Sequence, residues 1–245
     1  MSNIGYIHSY ESLAAVDGDG VRYAVFLSGC PLRCAYCHNP DTWQLTSGTP
    51  TEATALVRKL ARYKPYFGKT GGVTFSGGEP LCQAPFLLTC ASLLKEEGIR
   101  YVLDTSGAVP LTDEVRALIA GAQGLLLDLK FATDADYRTY TGQGIDRPLS
   151  TLSAAEALGT PVTVRTVILP GINDTERALD GYLAHLRGRR VRRYELLAYH
   201  TMGTYKYERL GLPYPLSGTP PLSPDTLARL QAYVDAQLSL PSADR

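Results

Sequence analysis

Cys30, Cys34 and Cys37 stand within the run GCPLRCAYCHNP, and they are the residues of this chain best equipped to do chemistry. Thiolates separated by three residues and then by two suit a short loop that holds three corners of a four-iron cluster and leaves the fourth iron without a protein ligand. An iron with an open position binds and activates a small molecule, whereas a fully ligated cluster mainly carries electrons. No fourth cysteine lies near the trio, since the remaining two are Cys82 and Cys90. Two plainer assignments stay open on the trio alone. A structural zinc site usually takes four ligands, and His38, adjacent to Cys37, is awkwardly placed to complete the tetrahedron. A disulfide leaves one of three crowded thiols over.

The elements that must carry this loop are legible as apolar runs. Tyr23 to Leu27, Gly72 to Phe75, Arg100 to Leu103, Gly124 to Asp128, Val162 to Ile168 and Arg193 to Leu197 read as continuous rather than alternating. Parallel strands covered on both faces have that pattern. Helical patterns lie between them. Thr51 is expected to cap a helix carrying Leu56, Val57 and Leu60; Pro85 opens one that Gly98 ends; Asp113 precedes Val115 and Leu118. Asp174 is expected to open a helix that buries Ala178, Tyr182 and Leu186, and Ser223 and Pro224 start the last. Alternation of this kind predicts an α/β fold, an open partial (β/α)6 barrel of parallel strands, because a closed eight-stranded barrel typically needs ~250 residues and more strands than these. The cysteine loop follows the first strand and so falls at the carboxyl end, where functional groups gather in such folds.

Other chemistry-bearing residues sit at the same ends. Ser76-Gly77-Gly78-Glu79-Pro80 follows the second strand, and paired glycines there let the backbone approach a ligand closely. On its own the stretch reads as an ordinary tight turn. The third strand ends in Asp104-Thr105 and the fourth in Asp128-Leu129-Lys130. Neighbouring carboxylates repel unless a cation or basic group lies between them, and Lys130 serves as such a group or pairs with the carboxylate of a bound amino acid. Helix capping and an ordinary ion pair explain these residues as well. Arg165 and His200 complete the set.

Composition bounds the rest. At 245 residues the chain suits one domain, 1–245, and its 44% apolar and 20% charged residues are those of an ordinary globular protein. Zero formal net charge offers no electrostatic basis for binding nucleic acid or an anionic membrane. No apolar stretch of ~18 residues is present to span a bilayer, and the opening residues lack a signal peptide's features. Five cysteines, three of them clustered, fit a reducing compartment, so a cytoplasmic protein is expected. Cys82 and Cys90 are expected to be buried structural thiols, His8 and His185 surface or capping residues, and Tyr205 and Tyr207 surface packing. The arginines from Arg187 to Arg193 fit a solvated connection better than a nucleic-acid site.

The cysteine trio, with GGE one strand later, resembles the signature of the radical S-adenosylmethionine (radical SAM) superfamily. VDGDGVR, GCPLRCAYCHNPDTW, GGVTFSGGEP, LDTSG, LLLDLK, ILPGIND, ELLAYH and GTYKYERLGLPYPLSGTPPLSP resemble, in register, the family of pyruvate formate-lyase activating enzymes. That resemblance implies an oxidoreductase of anaerobic glucose metabolism. It cleaves S-adenosylmethionine reductively and removes a hydrogen atom from a glycine of pyruvate formate-lyase, leaving a glycyl radical. It implies that Cys30, Cys34 and Cys37 hold one [4Fe–4S] cluster and that Tyr36, His38, Gly78, Asp128, Leu129, Lys130 and His200 line the S-adenosylmethionine pocket, with Glu79 and Arg165 as additions. Asp104, Thr105 and Asp128 correspond to a monovalent-cation site, and Asp17, Gly18, Gly20 and Arg22 to a loop that seats the partner polypeptide. Here Asp19 replaces a common proline and Ala198 departs from ELLPYH. A monomer that takes electrons from flavodoxin or ferredoxin is implied, with no protein acid, base or nucleophile. Alternatives are an activase of another glycyl radical enzyme, a small-molecule radical SAM enzyme, or a non-catalytic metal-binding or electron-transfer protein.

Overall fold

A computed structural model describes residues 3–14 and 18–238. The first half of the chain forms β1 (Ile4–Ala14), β2 (Arg22–Leu27), β3 (Thr49–Glu52), α1 (Ala53–Ala61), β4 (Gly72–Gly77), α2 (Ala84–Glu96), β5 (Tyr101–Thr105) and α3 (Asp113–Gly121). Then come β6 (Gly124–Asp128), α4 (Asp134–Thr141), α5 (Asp146–Leu158), β7 (Val162–Ile168), α6 (Glu176–Leu186), β8 (Arg193–Ala198), α7 (Tyr205–Leu210) and α8 (Pro224–Leu238). One sheet holds the strands in the order β3-β1-β2-β4-β5-β6-β7-β8. From β2 through β8 every pairing is parallel, and these six strands are the six expected from the apolar runs.

Two strands were not expected. β1 pairs antiparallel with both β2 and β3 and extends the sheet beyond the parallel array. Thr51 does not cap α1; it pairs with Gly5 in β3, and the helix begins at Ala53. The cap of α6 is Thr175, whose hydroxyl accepts from the Ala178 amide at 3.2 Å, and the buried positions are Leu179, Tyr182, Leu183 and Leu186. The last turn of α2 ends at Gly98, whose φ of +65° is the left-handed geometry glycine adopts without strain. Both faces of the parallel array are covered: β4 is buried along almost its whole length, and Phe86, Leu87, Cys90 and Leu94 of α2 pack there.

The sheet does not close on itself, and side chains bridge its open side. The loops after β2 and β8 meet where His38 stacks on His200, ring centroids 4.1 Å apart, and where Lys206 binds Asn39 and Asp41. The segments before the same two strands meet through Asp19 and Arg192 at 2.6 Å.

Gly77 ends β4 with φ +110°, and a Cβ there would collide with the Leu27 backbone of β2. Gly77→Ala is expected to cost about 3 kcal/mol in denaturant unfolding, from backbone strain plus the collision. Gly68→Ala, at φ +55° with nothing near the added methyl, should cost only about 1 kcal/mol.

Candidate functional site

The cysteine loop is fastened by its backbone, which leaves its thiols available. After β2 the chain turns at Gly29, φ +93°, whose amide donates to Thr42 O at 2.7 Å, while the Cys30 amide donates to Trp43 O at 3.1 Å. On the other side the amides of Arg33 and Ala35 donate to Thr141 O and Tyr140 O, both at 2.8 Å. Those are carbonyls from the last turn of α4, which a helix leaves without partners of its own. The Arg33 guanidinium donates to Cys30 O and Leu32 O at 2.8 and 2.7 Å.

Cys30, Cys34 and Cys37 are all free thiols on the wall of one cleft. Tyr36, His38, Gly78, Asp104, Thr105, Asp128 and Lys130 line the same cleft, with Ser76, Gly77 and Trp43. Burial raises all three thiol pKa values, that of Cys34 to about 12. A buried thiolate needs a cationic partner, which metal coordination supplies. Among the described residues no three His, Cys, Asp or Glu side chains converge as ligands of a single ion must. Thiols set around a cleft fit a polynuclear cluster, whose ligands attach to different irons. Two buried polar atoms on the cleft wall, Tyr36 Oη and Trp43 Nε1, have no hydrogen-bond partner within the chain, as expected where a bound group supplies one. The residues present therefore fit a cluster with a ligand beside it.

The glycine turn is stitched to the cysteine loop. Gly78 N–H donates to Leu27 O at 2.9 Å and Glu79 N–H to Gly29 O at 2.8 Å. A Cβ on Gly78 would press on Gly29 O, 2.5 Å away, so only glycine lets the two loops approach this closely. Glu79 does not reach the cleft as expected. It is wholly buried, and its carboxylate accepts from the hydroxyls of Thr105 and Ser106, at 2.6 and 2.5 Å, and from the amides of Leu81 and Ser106, at 3.1 and 2.9 Å. Burial raises its pKa in spite of these donors. Glu79 thus fastens the end of β5 to the glycine turn, and the face offered to a ligand is the backbone of Gly77 and Gly78.

The strand-end carboxylates share one guanidinium. Arg165 of β7 bonds both Asp104 and Asp128, the latter at 3.0 Å. Ser76 donates to the second Asp104 oxygen and Lys130 to the second Asp128 oxygen, at 2.7 and 2.6 Å. Burial raises the Asp104 pKa more than Arg165 lowers it; burial also acts to raise that of Asp128, but Arg165 and Lys130 together hold it below the usual carboxylate range. Burial alone would discharge Lys130, yet Asp128 keeps its pKa well above the normal ammonium value. The monovalent-cation site expected at Asp104, Thr105 and Asp128 is accordingly an ion-pair network in this structure: Arg165 stands between the carboxylates, and the Thr105 hydroxyl is engaged by Glu79.

Leu129 turns into the core instead of lining the cleft, and His200 touches the site through His38, whose Nε2–H donates to His200 O at 2.9 Å. Of the loop expected to seat a polypeptide, Asp17 lies outside the described residues. Gly18, Gly20 and Arg22 sit at the opposite, amino end of the strands. Arg22 is fully buried and donates to Thr74 Oγ1 and Val73 O, both at 2.6 Å, which makes it part of the scaffold. Cys90 is buried as expected, but Cys82 is exposed, because it follows Leu81 on the outer side of a short turn. Tyr205 lies on the surface, whereas Tyr207 is buried with its ring edge-on to Trp43. His8 pairs with Asp41 and His185 with Ala132 O. Arg189, Arg192 and Arg193 are each paired with an acid. Sequence assigned no site role to Ser76, named only within the glycine turn, to Trp43, inside CHNPDTW, or to Tyr207, which was expected on the surface and is buried.

Arg165→Met leaves two mostly buried carboxylates without their shared counter-ion. The expected loss is about 3 kcal/mol of stability at neutral pH, measured by denaturant unfolding.

The radical SAM superfamily model matches residues 24–180, which run from within β2 into α6 and include the cysteine loop and the glycine turn. The pyruvate formate-lyase-activating enzyme of Clostridium pasteurianum is 41% identical over 94% of this chain and 97% of its own. That of Streptococcus mutans is 39% identical over 90% of this chain and 87% of its own. A solved radical SAM methyltransferase from Sphaerobacter thermophilus shares the fold, with a TM-score of 0.64 at 19% identity over 91% of this chain and 66% of that one. The radical SAM family uses a [4Fe–4S] cluster and S-adenosylmethionine, which is the pair of groups that the three-thiol loop and its cleft are shaped to hold. With the cysteine trio, the glycine turn and relatives this similar along nearly their whole length, the chain belongs to the radical SAM superfamily and, within it, to the pyruvate formate-lyase-activating enzymes.

Proposed function

We propose that this chain activates pyruvate formate-lyase by installing a glycyl radical on it. The observation that carries the reading is the convergence, in one cleft, of three free thiols on a single loop, an open glycine backbone and a charged Lys130. It occurs in a chain 41% identical to an enzyme named for that activation. When bound, the cluster and S-adenosylmethionine supply the chemistry, since one electron cleaves the sulfonium–carbon bond and the 5′-deoxyadenosyl radical takes a hydrogen atom from the partner's glycine.

The chain's own residues hold, orient and exclude. Cys30, Cys34 and Cys37 would bind three irons and leave the fourth for the amino-acid end of S-adenosylmethionine. Lys130, kept charged by Asp128, would meet that ligand's carboxylate; Asp128, relieved of part of its ion pair, would accept from its amino group. Gly77 and Gly78 admit it by having no side chains, and the His38–His200 stack shields the side of the cleft from water. Tyr36 Oη would find its missing partner in a bound group. No side chain acts as acid, base or nucleophile. An external low-potential donor such as flavodoxin or ferredoxin supplies the electron. The segment around Gly18 to Arg22 would contact the partner polypeptide, and the chain would act as a cytoplasmic monomer of one domain, 1–245. No helix among the described residues is long and apolar enough to cross a membrane.

The test is anaerobic reconstitution followed by mixing with pyruvate formate-lyase under chemical reduction. A glycyl radical resonance with matching 5′-deoxyadenosine release is expected. Release of 5′-deoxyadenosine with no radical on this partner, but radical on another glycyl radical enzyme, would reassign the partner. About one zinc per chain and no iron would end the enzyme reading. Cys34→Ser should abolish iron-dependent cleavage, and Lys130→Met should weaken S-adenosylmethionine binding about tenfold or more, measured by equilibrium binding to the loaded protein.

A further inference from the structure

Three buried side-chain polar atoms among the described residues have no hydrogen-bond partner: Tyr36 Oη, Trp43 Nε1 and Tyr207 Oη. All three surround the cysteine loop. Tyr36 lies within it, Trp43 lines the cleft and accepts from the Cys30 amide through its carbonyl, and Tyr207 packs edge-on against the Trp43 ring. An indole N–H is a donor only, so nothing but an acceptor relieves the cost of burying it. The three thiol sulfurs are acceptors on the same cleft. Cys37 Sγ already accepts from the Asn39 amide at 3.4 Å, and Trp43 lines the same cleft as all three thiols.

A second residue bears on that N–H. The Arg33 guanidinium sits over the Trp43 ring, 4.8 Å from its centroid, held there by the carbonyls of Cys30 and Leu32. A cation on the face of an indole draws electron density from the ring, and that makes the N–H a stronger donor.

We propose that Trp43 Nε1–H donates to a sulfur of the cluster held in this cleft, strengthened by Arg33, and that this pair raises the cluster's reduction potential. The inference rests on the reading of the cleft as a [4Fe–4S] site. Reduction adds one electron, taken from an external low-potential reductant, and moves no proton or bond. The added negative charge is spread over the sulfurs, so a donor and a fixed cation beside them stabilise the reduced form more than the oxidised one. Arg33 is a positioning residue here, acting through the indole, whereas Trp43 would meet a cluster sulfur itself.

The experiment compares wild type, Trp43→Phe, Arg33→Gln and the double variant as full-length, anaerobically reconstituted protein. Iron and sulfide are counted, the midpoint potential is followed by electron paramagnetic resonance, and exchangeable-proton couplings are recorded on the reduced cluster. Expected are about four irons per chain throughout, a more negative potential in Trp43→Phe with loss of one exchangeable-proton coupling, and a smaller shift of the same sign in Arg33→Gln. The double variant should fall short of the sum of the single shifts, because Arg33 acts partly through the indole. An unchanged or raised potential in loaded Trp43→Phe overturns the proposal. Should that variant fail to hold iron, an unshifted potential in Arg33→Gln, an exposed position, overturns it instead. Wild type that forms no cuboidal cluster would refute the functional reading, a separate result.

Discussion

Everything at this site depends on two loops held together chiefly through backbone atoms. Gly29, Gly77 and Gly78 stand where the end of β2 meets the end of β4, and the amides of Gly78 and Glu79 donate to Leu27 O and Gly29 O. Side chains at Gly77 or Gly78 would collide with the backbone of Leu27 or Gly29 and force the loops apart. Their absence lets three thiols and a bare stretch of peptide face one small volume. The same closeness removes conformational freedom from a loop that must present all its sulfurs at once. A cluster binds to such a loop at a lower entropic cost than to a flexible one.

Around this join the charged groups divide into two tasks. Glu79 and Arg165 are spent on structure, each engaged on every side, and they fix the strand ends that carry Thr105, Asp104 and Asp128. Lys130 is less committed, because among the described residues its one ion pair is with a single Asp128 oxygen. A ligand bearing a carboxylate competes for that ammonium more easily than for a guanidinium shared between two acids. The difference explains how a buried polar site stays well ordered yet open to an amino-acid ligand, since a fully satisfied network resists displacement and a single ion pair yields.

The elements that carry the site were legible because burial on both faces writes itself into sequence as continuous apolar runs. All six parallel strands follow from that rule, and the cysteine loop and glycine turn follow from their residues. β1 escaped because IGYIHSYESLA mixes exposed and buried positions, and the edge strand β3, TPTE, carries no apolar signal at all. α4 was missed for a similar reason, being polar over most of its surface, yet its last carbonyls fasten the cysteine loop. Direction was the other hidden quantity. Whether Glu79 faces the cleft or the end of β5, and whether Arg165 meets a ligand or two aspartates, depends on neighbours far away in the chain. No local pattern records those contacts.

An open barrel needs its edges joined by something weaker than a strand ladder if a large partner is to reach its interior, and this one has two kinds of join. At the carboxyl end the imidazoles of His38 and His200 stack and the Lys206 ammonium spans to Asn39 and Asp41, in surroundings that are mostly buried. At the amino end a single exposed ion pair links Asp19 to Arg192. Exposed pairs contribute roughly 0–1 kcal/mol and are screened by salt, whereas packed rings and shielded charges hold more firmly. The asymmetry places the stiff join beside the cleft, where geometry must be kept. The compliant join lies at the end of the strands away from it, where the Asp19 turn is tied by that pair and lies far from the thiols.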